Sequence, residues 1–158
     1  MNISIVVHSK TGNTLLVANS LSDRLKSEGH TVSLANITAE NDSEANVDAI
    51  VLTNAPQVAE YDLLILGAPV RGGRLSPVMQ AYLRQLKLIP GKPIYGFVTQ
   101  FFPSPKLGGN QAIQCMSEIC SSKGNELGAT GVINWMFSAK RNNQISETVD
   151  KFTINCRC

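Results

Sequence analysis

The chain holds 158 residues, 43% hydrophobic and 16% charged, with 14 Lys and Arg against 12 Asp and Glu for a formal net charge of +2. One domain usually holds about 100–200 residues, so residues 1–158 read as a single domain whose core can fold without disulfide or metal staples. No apolar run reaches the roughly 18 residues a bilayer needs, and the start MNISIVVHSKTGNT has neither a basic n-region nor a small-residue cleavage site. Membrane insertion and secretion are therefore not expected, and a cytoplasmic location is. The near-neutral balance also excludes the markedly basic face of bulk nucleic-acid binding and the strongly acidic surface of many soluble electron carriers.

In chain order, the first apolar run is Ile3-Ser4-Ile5-Val6-Val7, short and rich in β-branched residues as a strand buried on both faces must be. Leu15, Ala18, Leu21 and Leu25 then mark a helix that Gly29 ends. Thr31 to Asn36 alternates like a strand near an edge. Residues 37–60, with the acidic cluster Glu40, Asp42, Glu44 and Asp48 and with Pro56, show no clear helical period. Leu63-Leu64-Ile65-Leu66 is a second central strand, Val78, Tyr82, Leu83 and Leu86 a second helix closed by Pro90-Gly91, and Ile94-Tyr95-Gly96-Phe97-Val98 a third central strand. Ala112, Ile113, Met116, Ile119 and Cys120 form a third helix, Gly131-Val132-Ile133-Asn134 a fifth strand, and Ile145, Val149 and Phe152 a weaker last helix. Strand and helix in alternation imply a three-layer, doubly wound α/β fold around a five-stranded parallel sheet, with ligands outside the carboxyl ends of the strands.

Cys115, Cys120, Cys156 and Cys158 show no C-x-x-C spacing and read as reduced thiols. Residues five apart on a helix point about 140° away from each other, so Cys115 and Cys120 do not make a shared metal site. No metal is expected.

The loop after the first strand is His8-Ser9-Lys10-Thr11-Gly12-Asn13-Thr14, with a helix directly behind it. Free backbone N–H groups, hydroxyl donors and the positive end of the helix dipole would converge there, and this is what a phosphate monoester needs. A lone Ser or Thr in such a place can simply cap the helix, but a cap needs only one hydroxyl and this loop has three. Neither the G-x-x-x-x-G-K-[ST] cradle of a nucleoside triphosphate nor the G-x-G-x-x-G turn of a dinucleotide is present.

S-K-T-G-N-T after a buried strand, with Ala18 four residues on, resembles the phosphate loop of the flavodoxin family, [ST]-x-T-G-x-T followed by alanine. Gly67-Ala68-Pro69-Val70, the glycine-rich Arg71-Gly72-Gly73, and Met79-Gln80-Ala81-Tyr82-Leu83 are similar to that family's second loop and helix. Thr99-Gln100-Phe101-Phe102-Pro103, leading to Gly108-Gly109, is placed as its third loop. The resemblance covers nearly the whole chain and resembles the short-chain type. It implies strand order 2-1-3-4-5 and an FMN cofactor. The phosphate would lie on Ser9, Lys10, Thr11, Gly12, Asn13 and Thr14. The ring would lie between Pro69, Val70, Arg71, Gly72 and Gly73 on one side and Thr99, Gln100, Phe101 and Phe102 on the other, and Gly109 is counted with the cofactor-binding residues. The second loop lacks the aromatic residue that many flavodoxins place on the ring and offers Arg71 in its stead.

No Asp or Glu occurs in residues 63–117, which carry Arg71, Arg74, Arg84, Lys87, Lys92 and Lys106, so a basic flavin mouth is expected. Cations there favour the anionic reduced flavin and raise its potential. An FMN-dependent oxidoreductase, fed by NAD(P)H or a protein donor and reducing a small acceptor, fits this pattern. A non-enzymatic electron shuttle, or a binding domain for another phosphorylated ligand, fits the same loops. No side chain there forms an acid–base pair, so no catalytic residue is assigned. Donor, acceptor and oligomeric state have no signature in the sequence.

Overall fold

The computed structural model describes residues 1–58 and 60–156 of the chain, so Cys158 lies outside the described residues. Five strands form the parallel centre: β1 (Asn2–His8), β2 (Thr31–Ala39), β4 (Leu63–Arg71), β6 (Ile94–Gln100) and β7 (Leu127–Asn134). Their spatial order is β2-β1-β4-β6-β7, which is 2-1-3-4-5 when only these five are counted. Two short antiparallel strands add to it. β3 (Leu52–Asn54) pairs with β2 at the edge, and β5 (Arg74–Leu75) folds back on the end of β4.

Alternation along each strand sends side chains to two helical layers. Ile3, Ile5, Val7, Leu63, Ile65, Phe97 and Ile133 pack under α1 (Asn13–Ser27) and α4 (Ser138–Asn155), against Val17, Leu21, Leu25 and Phe152. Val6, Leu64, Leu66, Ala68 and Val98 pack on the other face under α2 (Pro77–Gln85) and α3 (Gly109–Ser122), against Met79, Tyr82, Leu83, Met116 and Cys120. Among the described residues, no helix is long and apolar enough to cross a membrane.

Two segments differ from their reading in the sequence. Residues 37–60 are organised by side-chain hydrogen bonds rather than by apolar period. Asn41 donates through Nδ2 to the Ala49 carbonyl and accepts from the Val51 N–H, closing a loop around a single 3₁₀ turn at Val47–Ala49 before β3. The expected loop after Leu66 is instead a continuation of β4 to Arg71 and a hairpin into β5. Gly72 (φ 57°) and Gly73 (φ 75°) supply the two left-handed positions that such a tight turn requires. Gly67 is thus a strand glycine, and a Cβ there would run into the Phe97 ring.

Candidate functional site

The carboxyl ends of β1, β4, β6 and β7 face one cleft of about 270 Å³. On its first wall, β1 ends at His8 and α1 begins at Asn13, with Gly12 between them at φ 96°. No side chain caps this helix at Gly12; the Leu15 N–H reaches back to Ser9 Oγ at 3.2 Å. The N–H groups of Asn13 and Thr14 have no protein acceptor among the described residues, so they and the helix dipole make an anion cradle. Asn36, within β2 and paired with Val7, fixes the loop from the side, accepting the Ser9 N–H through Oδ1 at 3.1 Å. The Thr14 hydroxyl is buried against that of Thr99 at 2.8 Å, tying the cradle to the end of β6.

Ser9, Lys10, Thr11, Asn13, Thr14, Pro69, Val70, Arg71, Thr99, Gln100 and Phe101 all line this cleft, and Trp135 joins them. Gly12 sits behind the cradle as its left-handed hinge. Gly72 and Gly73 line a neighbouring groove with Lys106 and Gln111. Phe102 projects from the lip, 51% exposed. Gly109 lies away from the cleft, close against Val132 and the Gln100 amide. Gln100 shapes the third loop, its Nε2 donating to the carbonyls of Phe102 and Ser104 at 2.7 and 2.6 Å. Its Oε1 is buried without a partner.

The charge at the mouth is not purely basic, which corrects the expectation. Asp42 arrives from the 40–46 loop and accepts from Arg71 at 2.7 Å through Oδ1 and from His8 Nε2 at 2.8 Å through Oδ2. Arg71 also donates to the Asp42 carbonyl at 2.6 Å. His8 is fully buried, and its Nδ1 meets the Ser76 hydroxyl at 2.8 Å. Ser76 in turn caps α2 by accepting the Met79 N–H. With Asp42 ionised, the proton belongs on Nε2, so Nδ1 accepts from Ser76. Burial holds the His8 pKa below its ordinary value, against the pull of Asp42. Burial alone would raise the Asp42 pKa, but the hydrogen bonds from His8 and Arg71 outweigh it and the net shift is downward.

Asp42, Asn36 and Trp135 carry no motif. The rule that ligands gather at the carboxyl ends of parallel strands points to Asn36 and Trp135, which lie in β2 beside Val7 at the end of β1 and directly after β7. Nothing local marks Asp42, because its position depends on how residues 37–60 fold.

No protein-family model matches the chain, and no curated protein matches it in sequence. Solved structures do match. A flavodoxin from Streptococcus pneumonia TIGR4 is 18% identical with a TM-score of 0.66, over 98% of this chain and 99% of its own. Flavodoxin 2 from Bacillus cereus is 21% identical with a TM-score of 0.63, over 98% of this chain and 96% of its own. Rubredoxin oxygen:oxidoreductase from Desulfovibrio gigas is 14% identical with a TM-score of 0.68, and this chain spans 36% of that one. At such identities the likeness is one of architecture: the chain has the flavodoxin-like fold.

Proposed function

We propose that this protein binds FMN in the cleft and works as a flavin-dependent electron-transfer protein, taking electrons from NAD(P)H or a redox protein and passing them on. The observation that carries this reading is the pairing, at the carboxyl ends of four parallel strands, of an anion cradle with an apolar slot. The open amides of Asn13 and Thr14 and the exposed Thr11 hydroxyl suit a phosphate monoester, whose charge the α1 dipole also favours. Pro69, Val70, Phe101 and Trp135 offer apolar and aromatic surface to a flat ring. The residues present therefore fit the cofactor. Bound there, FMN would supply the electron-accepting ring that no side chain of the cleft provides.

The protein's own part is to bind and orient. The Thr14–Thr99 hydrogen bond fixes the phosphate end against the ring end, and Gln100 holds the third loop in shape. No His, Cys, Asp or Glu lines the cleft among the described residues, and both nitrogens of His8 are engaged elsewhere. This favours electron carriage without protein acid–base chemistry, and the neutralisation of Arg71 by Asp42 removes the all-cationic mouth that pointed to a reductase.

The absorption spectrum of the purified protein, before and after incubation with FMN, tests the proposal. Flavin bands that disappear on heating with release of FMN support it. A protein that takes up no FMN overturns it, and the cradle then serves another phosphorylated ligand. Steady oxidation of NADH or NADPH in the presence of a quinone separates the enzyme from the shuttle.

A further inference from the structure

Nine large apolar side chains are exposed among the described residues, and five of them stand on two neighbouring loops: Phe101, Phe102, Leu107, Met136 and Phe137, between 45% and 60% exposed. Phe101 lines the cleft, but Phe102, Leu107, Met136 and Phe137 lie outside it, so a ligand in the cleft does not explain them. Clustered exposed apolar groups of this kind mark interaction sites.

The lip they form is tied together by hydrogen bonds. The Trp135 and Met136 N–H groups donate to the carbonyls of Gln100 and Phe101 at 2.8 and 2.9 Å, joining the two loops. The Lys140 ammonium reaches the Pro103 carbonyl at 3.0 Å, and Asn134 Oδ1 accepts the Phe137 N–H. Such a surface loses little freedom when a partner covers it.

Its charge is one-sided. Neither residues 100–117 nor residues 127–146 contain an Asp or Glu, while they carry Lys106, Lys140 and Arg141, the last with its guanidinium 5.1 Å over the Trp135 ring and donating to the Trp135 carbonyl at 3.2 Å. The carboxylates at this end of the sheet stand on the opposite lip, on the 40–48 loop. We infer that this apolar, cationic lip is the docking surface for a small acidic redox protein that seats an apolar spot on Phe102, Met136 and Phe137 with carboxylates facing Lys106 and Arg141. Aromatic residues, Met and Arg are the types enriched at protein interfaces, and a patch this small suits a short-lived encounter. An anionic membrane laid flat on this end would also meet Glu40 and Glu44, whereas a protein can dock on one lip alone.

The redox role of the partner rests on the FMN proposal, whereas the docking geometry does not, so the experiment reads the two separately. ¹⁵N-labelled protein, with and without FMN, is titrated with a strongly acidic soluble cytochrome, and a strongly basic cytochrome serves as control. Shifts confined to residues 101–108 and 134–141, with affinity falling about tenfold between low and physiological salt, support the inference. Phe137→Ser should weaken binding at least about fivefold, and Lys106→Glu should weaken it while reducing its salt dependence. Silence at low salt, shifts elsewhere on the surface, or equal binding of the basic cytochrome overturns it. So does binding through the same loops to vesicles of phosphatidylcholine and phosphatidylserine in equal parts, since the lip would then be a membrane anchor. Docking by a protein that takes up no FMN leaves the surface standing and removes the flavin proposal.

Discussion

Asp42 neutralises Arg71 at the mouth of the cleft, with a 2.7 Å contact between carboxylate and guanidinium and a second bond to the Asp42 carbonyl at 2.6 Å. The guanidinium is three-quarters covered, so this pair is less screened than an exposed one. Replacing Asp42 by Asn removes a negative charge near the proposed ring and should raise the two-electron midpoint potential of the FMN-loaded protein. An interaction of about 1 kcal/mol corresponds to about 20 mV, with a smaller shift at high salt. Arg71→Gln should lower the potential further in the Asp42→Asn background than in the unaltered protein. Spectroelectrochemical titration of the four proteins reads this directly, and identical Arg71 effects in both backgrounds would show that the pair is not coupled.

The same carboxylate links the cleft to pH. His8 has a folded pKa below its ordinary value of about 6.5 because burial favours the neutral ring. The unfolded chain therefore binds more protons as pH falls below about 6.5, and stability falls with it, by at most about 1.4 kcal/mol per pH unit from this group. Asp42, whose pKa is also lowered, adds a second loss at more acid pH, once the ordinary carboxylate range is reached. Urea denaturation should show no His8-linked change in stability above neutrality and declining stability from pH 6.5 downward. His8→Gln, less stable at pH 7, should flatten the first part of that decline. An unchanged slope in the variant would assign the acid sensitivity to other groups.

Gly67 and Phe97 lie on adjacent strands, paired in register in the sheet, and the ring occupies the space a Cβ at 67 would need. Gly67→Ala should cost about 1–3 kcal/mol by overpacking, and Phe97→Leu in the same chain should cost less than the sum of the two changes alone. Strict additivity in urea melts would mean that the two side chains do not compete for the space.

The five parallel strands and four helices are legible because each carries its own period: β-branched runs buried on both faces, and apolar stripes closed by glycine. That the loop from Ser9 leads straight into a helix is legible for a similar reason, since loop and helix start are contiguous in the chain. The misreadings fall where structure depends on distant partners. Glycine at 67 reads as a turn because its reason, Phe97, is thirty residues away. The 37–60 segment is held by Asn41 and by the Tyr82 hydroxyl donating to the Pro56 carbonyl, which have no periodic signature. Asp42 then reaches His8 and Arg71 only because that segment folds so, and the charge pattern of residues 63–117, taken alone, misses it.

Thr11 and Thr14 separate binding from stability. Thr11 is exposed in the cleft wall, so Thr11→Val should leave the urea midpoint unchanged and weaken FMN by about 1.5–3 kcal/mol, the value of a hydrogen bond to a charged group. Thr14→Val also orphans the Thr99 hydroxyl, so it should weaken FMN and cost about 1 kcal/mol or more of stability as well. Equal effects on riboflavin and FMN for Thr11→Val would place its hydroxyl away from the phosphate.

Gly12 has open space around it, so its constraint is conformational rather than steric: at φ 96° a side-chain-bearing residue costs about 1–2 kcal/mol. Gly12→Val should therefore lower stability by that amount without unfolding the protein and should also weaken FMN. Full FMN affinity in a folded Gly12→Val protein would show that the loop needs no left-handed hinge.

Quenching of flavin fluorescence by the unaltered protein, titrated in parallel with FMN and with riboflavin, decides whether the amides of Asn13 and Thr14 hold a phosphate. Two hydrogen bonds to a charged group, at about 1.5–3 kcal/mol each, predict at least about a hundredfold tighter binding of FMN. Inorganic phosphate should compete with FMN and not with riboflavin. Equal affinity for the two flavins, or no binding of either, would contradict the assignment of this cleft as an FMN site.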